Sequence, residues 1–341
     1  MFLSSVRVGA VGVLLIMPPF HAGSFEAVWA KRTGPLCPEV LEGVVRLGVP
    51  GELRAEVWAE LLEVDLPPCT FDLLVQQGVG ALDPEVRGQI DTDVQRMFTK
   101  DCPLDYISKV SVPCLTLVLQ CLALYDPEVG YCQGLNFTVG MLAYVLGPCP
   151  RLMFSAAVGL LTRLSMRSYY TPGLRGLRGD LAAVGVLLAE QAPALRRVLL
   201  DHGLDLSQCC TRWLLTLFSG CWAQLDLPWC LRLWDVALAT GGGVVLHLTV
   251  HLLRAMQLPC LGAGEDLLEV FHLEQGRVMC TEHMLEGVIA KATMPSTLAR
   301  TREIRAREFH KVVQRSRQQH LVESQVRRGG RVNLTTVSAL H

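Results

Sequence analysis

The chain has 341 residues, of which 50% are hydrophobic and 18% charged, enough apolar material for a sizeable core and too much for a disordered chain. Its net charge of −1 excludes the strong basic excess of a nucleic-acid-binding domain. The thirteen cysteines form no Cys-x-x-Cys pair, so neither a zinc knuckle nor a redox dithiol is signalled, and those in apolar runs, such as Cys114, Cys121 and Cys230, read as reduced core thiols.

At the N-terminus, Met1 to Arg7 carries one positive charge, Val8 to Met17 is apolar throughout, and Pro18-Pro19 follows. That is the shape of a secretory leader with Val28-Trp29-Ala30 as its cleavage site, and it is too short to span a membrane. No later stretch of about 20 residues lacks charges or helix breakers, so no transmembrane segment is expected.

From residue 38 onward the sequence reads as helices joined by short loops. Pro38 to Leu47 is apolar at helical spacing, and Gly48-Val49-Pro50-Gly51 ends it. Glu52 to Val64 places Leu53, Val57, Leu61 and Leu62 on one face. Amphipathic segments follow over 84–98, 110–124 and 133–146. A loop is expected from Tyr169 through Gly179, then helices over 181–192, 194–201, 209–218, 227–239, 244–256 and 280–292. Alternating strand patterns are missing. The expected fold is all-α: one large multi-helix domain over 38–293, after an apolar leader and linker over 1–37. A polar, basic tail over 294–341 completes the chain, either helical or disordered. Between Arg300 and Arg331 ten Lys/Arg stand against three acids, so the rest of the chain carries −8.

Several chemistries are excluded. No Gly-x-x-x-x-Gly-Lys-Ser/Thr loop is present to bind a nucleotide, and no Gly-x-Ser-x-Gly elbow. His247 and His251 stand at i, i+4, but Leu248 occupies the place of a zinc protease's glutamate and no third ligand is indicated, so no metal site is expected. Gly241-Gly242-Gly243 reads as a helix-ending turn.

Two segments stand apart. Ile90, Asp93 and Arg96 fall within an arc of about 120° on one helix, so Ile90 anchors to the core while Asp93 pairs with Arg96 at i, i+3. Alone, this is either a surface helix with one salt bridge or an arginine restrained to reach into a partner. In Asp126 to Phe137, Gly130 permits a tight turn and Gln133 stands near the start of the next helix. That is either an ordinary interhelical turn or an amide facing phosphate at a helix N-terminus.

Together the two segments resemble the TBC domain, the Rab GTPase-activating module. Its arginine-finger pattern Ile-x-x-Asp-x-x-Arg reads as Ile90, Asp93 and Arg96, and its glutamine-finger pattern Tyr-x-Gln-Gly as Tyr131, Gln133 and Gly134. The family's opening motif is matched by Gly48, Val49, Pro50, Arg54, Val57 and Trp58. Thr211 to Phe218, with Trp213, is similar to its Ser-x-Trp segment, and Leu231 to Asp235, with Trp234, to its Arg-Ile-Trp-Asp segment. The departures, Leu135 for methionine and Leu214 for phenylalanine, are apolar swaps that cores tolerate.

The resemblance implies an all-helical GTPase activator whose catalytic residues are Arg96 and Gln133, supported by Ile90, Asp93, Tyr131 and Gly134. Arg54, Trp58, Trp213, Trp234 and Asp235 are its structural motif residues. The implied partner is a GTP-bound Rab-family small GTPase, which brings the GTP and Mg²⁺, so this chain needs no cofactor of its own. It also implies a cytoplasmic protein, peripheral on endomembranes, against the leader's signal-like shape. The basic tail is then either a solvated extension or a weak contact with anionic membrane. A chain cut to about 38–295 is expected to retain activity.

Overall fold

The computed structural model describes residues 24–32, 37–67 and 69–327. Its first helices are α1 (Phe25–Ala30), α2 (Pro38–Leu47), α3 (Gly51–Leu61), α4 (Thr70–Gln77), α5 (Pro84–Arg96), α6 (Leu104–Lys109), α7 (Val112–Tyr125), α8 (Leu135–Leu146) and α9 (Pro150–Arg163). They continue as α10 (Arg167–Tyr170), α11 (Arg175–Gln191), α12 (Pro193–Asp201), α13 (Leu206–Leu215), α14 (Leu227–Thr240) and α15 (Gly243–Ala255). The last are α16 (Gln257–Gly262), α17 (Leu267–Arg277), α18 (Glu282–Ala292) and α19 (Pro295–Arg327). Among the described residues every regular element is helical, as expected, and no helix is long and apolar enough to cross a membrane.

Prolines and short polar caps set where helices begin. Proline occupies the first turn of α2, α5, α7, α9, α12 and α14, where its missing N–H costs no helical bond. Asp83, Asp205, Asp226 and Thr281 accept backbone N–H groups as N-caps of α5, α13, α14 and α18. α15 is apolar all round, with every residue from Gly243 to Val250 buried, and packs among α11, α13, α14, α18 and α19. A second group, α7 with α4, α5, α8 and α9, carries the segments of Arg96 and Gln133. α9 meets the end of α3 at Gly159, where a Cβ would lie 1.9 Å from the Leu62 carbonyl oxygen.

The structure departs from expectation in places. α9 and α17 were not expected, and Gly176 and Gly179 lie inside α11 rather than in a loop. Those glycines remove side chains where Ser168 and Tyr169, and Phe309 of α19, come close. The signal-like run Val8–Met17 lies outside the described residues. Its supposed cleavage site is helical in α1, with Phe25 and Trp29 buried against α2. Packing also runs past the expected domain edge at 293. α19 lies along α11, burying Leu298, Thr301, Ile304, Glu308 and Val312. Its Arg305 donates to both carboxylate oxygens of the buried Asp180 at 2.8 and 2.7 Å and to the Gly241 carbonyl at 2.9 Å. Tyr169 also donates to Asp180.

All thirteen cysteines are free, eight of them buried, and burial pushes the Cys121 and Cys221 thiols up to about 11, which keeps them unreactive. His247 is buried, with Nε2 2.8 Å from Thr301 Oγ1; burial, with Lys291 nearby, lowers its pKa to about 4, so it is neutral.

Candidate functional site

α5 carries Ile90, Asp93 and Arg96, the segment expected to supply an arginine finger. Ile90 is fully buried and fixes the helix to the core, as expected. Arg96, the last residue of α5, is exposed and has no hydrogen-bond or ion-pair partner among the described residues. The expected Asp93–Arg96 pair does not form. Asp93 is 8% exposed and turns inward, where its Oδ2 accepts a hydrogen bond from the Tyr131 hydroxyl at 3.1 Å. Helical spacing brings i and i+3 to one flank, but here one side chain leaves the helix toward solvent and the other toward the core. Arg96 is thus placed by the backbone, not by a carboxylate.

Tyr131, Gln133 and Gly134, the expected glutamine-finger segment, lie in the turn before α8. Tyr131 is half-buried, and burial with the neighbouring Asp93 carboxylate raises its phenol well above the ordinary range, so it stays protonated and donates. Gln133 is exposed, and its side chain too has no partner among the described residues. Gly134 caps α8 with φ +108°, and a Cβ there would lie 2.8 Å from Leu215 Cδ2. Both counts demand glycine. The Asp93–Tyr131 bond therefore ties the arginine helix to the glutamine turn.

The structural motif residues form the frame behind these segments. Arg54 Nε lies 3.2 and 3.3 Å from the two oxygens of Asp235, and Trp58 Nε1 donates to Asp235 Oδ1 at 2.7 Å. Asp235 has no solvent exposure; burial raises its pKa to about 6 even with Arg54 beside it. Trp58 stacks on Trp234 with centroids 5.4 Å apart, and Trp234 Nε1 donates to the Leu217 carbonyl at 3.0 Å. Leu217 and Phe218 both adopt positive φ, at 49° and 64°, which costs each roughly 1–2 kcal/mol. Trp213 stacks on Phe218. This strained turn follows Leu215, the residue against which Gly134 rests, so the tryptophan motifs back the glutamine turn. Leu135 and Leu214, the two departures from the family pattern, are both buried.

Two contributors were not expected. Asn136, 1% exposed, accepts from the Gly134 N–H through Oδ1 at 3.1 Å and donates through Nδ2 to the Asp93 carbonyl at 3.1 Å. Arg167 of α10 pins the start of the same turn, donating to Asp126 at 2.5 and 2.8 Å and to Glu128 at 2.7 Å. Neither belongs to a spacing pattern; their partners lie 39 to 43 residues away, apart from Gly134. Among the described residues no cluster of three or more metal-ligating side chains forms.

A family model for the Rab-GTPase-TBC domain matches residues 52–258, a span holding Arg96, Gln133 and the frame behind them. The chain belongs to that family. The TBC domain is 30% identical over 221 residues to growth hormone-regulated TBC protein 1-A of Danio rerio, covering 62% of this chain and 59% of the relative. It is 29% identical to small G protein signaling modulator 3 of Bos taurus, covering 63% of this chain and 29% of that protein. The chain thus spans less than two thirds of the length of these relatives. Among solved structures, a Chlamydomonas flagellar RabGAP TBC domain superposes with a TM-score of 0.60 at 21% identity, covering 74% of this chain and 83% of that one. At that identity the likeness is of fold, and the fold agrees.

Proposed function

We propose that this TBC domain accelerates GTP hydrolysis by a Rab-type small GTPase, supplying Arg96 and Gln133 in trans. The observation that carries the reading is the pairing of two exposed side chains, one cationic and one amide and both without a partner among the described residues, on segments tied through Asp93 and Tyr131. Hydrolysis needs positive charge on the γ-phosphoryl oxygens as the bond to the leaving phosphate lengthens, and a group that orients the attacking water. Arg96, with no carboxylate partner among the described residues, supplies the first, an effect worth ~10³–10⁵ in rate where an arginine is delivered by an activator. Gln133, able to donate and accept, supplies the second. GTP and Mg²⁺ come with the partner. The exposed Arg315 and Arg317 on α19 suit a weak contact with anionic membrane, which places the activator where membrane-bound partners lie.

The test is single-turnover GTP hydrolysis over a panel of GTP-loaded Rab proteins. Arg96→Ala should nearly abolish stimulation without unfolding the domain, and Arg96→Lys should be almost as poor, because a point charge cannot reproduce the planar fork. Gln133→Ala should also cut stimulation strongly, and a Rab whose own switch glutamine is replaced should still respond. Full activity in Arg96→Lys overturns the arginine's role. A Rab variant that no longer responds overturns the glutamine's.

A further inference from the structure

The last turn of α5 tightens. The Met97 N–H bonds to the Val94 carbonyl rather than one residue earlier, leaving the Asp93 carbonyl open in the last helical turn. That carbonyl is taken by Asn136 Nδ2, while Asn136 Oδ1 holds the Gly134 N–H, both at 3.1 Å. The carboxylate of the same Asp93 takes the Tyr131 hydroxyl. Gln133 therefore stands between two attachments, Tyr131 two residues before it and Gly134 one after. Both lead to Asp93, one helical turn before Arg96.

We propose that Asn136 is a positioning residue for the hydrolytic step: with Tyr131 it clamps the glutamine turn onto Asp93 from both sides and so fixes Gln133 relative to Arg96. This rests on the reading of Arg96 and Gln133 given above. The chemistry supports a clamp over simple core filling. A buried amide that bridges two otherwise unmet backbone groups is directional, and an apolar side chain of equal volume meets neither. Two catalytic groups on different segments act together only if their separation is fixed, and a misplacement of about 1 Å can cost ~10²-fold in rate. Asp93 and Asn136 are buried and Tyr131 is half-buried, so the clamp acts on the transition state rather than on association.

The test uses the full chain with Asn136→Ala, and with Tyr131→Phe, which keeps the ring and removes only the hydroxyl. In the free protein, Asn136→Ala should speed amide hydrogen exchange at Gly134 while exchange in α14 and α15 stays as in the wild type. With a responsive GTP-loaded Rab, both variants should lower kcat roughly 10- to 100-fold and leave KM unchanged. Binding to the Rab loaded with GDP and aluminium fluoride should weaken by the same factor, while binding to the Rab loaded with a non-hydrolysable GTP analogue stays as it was. Unchanged Gly134 exchange overturns the clamp, as does equal weakening toward both nucleotide states, the mark of a merely structural residue. Should Asn136→Ala not fold, Tyr131→Phe carries the kinetic arm, and unaltered kcat there overturns the proposal. Full stimulation by Arg96→Ala instead removes the finger reading, and the exchange measurement still judges the clamp on its own.

Discussion

Replacing Arg54 with alanine isolates the electrostatics of the frame. Asp235 has no exposure, and its folded pKa is about 6 against an ordinary value of 3.8. Because the folded value is the higher, the folded state holds its proton longer. Ionising Asp235 therefore costs stability as pH rises from about 4 to about 6, by roughly 3 kcal/mol at 1.36 kcal/mol per unit. Arg54 already offsets part of the burial cost. Without it the carboxylate keeps only the Trp58 N–H and the more distant Arg232 charge. Above pH 7 the variant should lose about 3–5 kcal/mol, the cost of stranding one partner of a buried pair. At pH 5 the carboxyl is protonated in both proteins, and the loss should shrink to ~1–2 kcal/mol of hydrogen bonding, chiefly to the Val49 carbonyl. Urea unfolding at pH 5 and 7.5, followed by tryptophan fluorescence, measures both values. Adding Asp235→Asn should flatten the difference between the two pH values. An Arg54→Ala penalty that is equal at both would show that Asp235 carries no charge in the native state.

Two further outcomes are expected. Gly134→Ala forces a Cβ to φ +108° and to within 2.8 Å of Leu215 Cδ2, so stimulation of GTP hydrolysis should drop sharply while thermal unfolding shifts by a few degrees. Leu215→Ala in the same chain makes room but leaves the dihedral strain of about 1–2 kcal/mol, and so should restore activity only in part; complete restoration refutes the backbone argument. Truncation after residue 295, expected from the sequence to leave activity intact, should instead destabilise the domain by several kcal/mol. It removes Leu298, Ile304 and Val312, each worth about 1.5–3 kcal/mol when buried, uncovers the face of α11 they pack against, and takes the Arg305 charge from Asp180. Calorimetry showing unchanged stability would refute this.

The sequence carries the fold class and the family's motifs, because helical periodicity and short motifs are local. It does not carry the partners those motifs choose. Asp93 and Arg96 sit three residues apart, yet the bond that forms runs to Tyr131, 38 positions along the chain. Asn136 and Arg167 are silent for the same reason: an amide or a guanidinium gains meaning only once folding brings a distant backbone group beside it. α19 hid its role differently. Its inward face reads Leu298, Thr301, Ile304, Glu308 and Val312, a helical stripe interrupted by a threonine and a glutamate, within a segment whose arginines suggest a solvated surface.

The ion pair between Asp180 and Arg305 joins residues 125 positions apart, and this sets an order of events during synthesis. At ~5–20 residues per second, α11 leaves the ribosome roughly 6 to 25 seconds before α19 can cover it. Through that interval a carboxylate destined for burial and the apolar face around Gly179 lie open to water and to other chains. The newly made protein should therefore depend on chaperones until its last long helix arrives, and any shortened transcript ending before that helix should yield a product prone to aggregate.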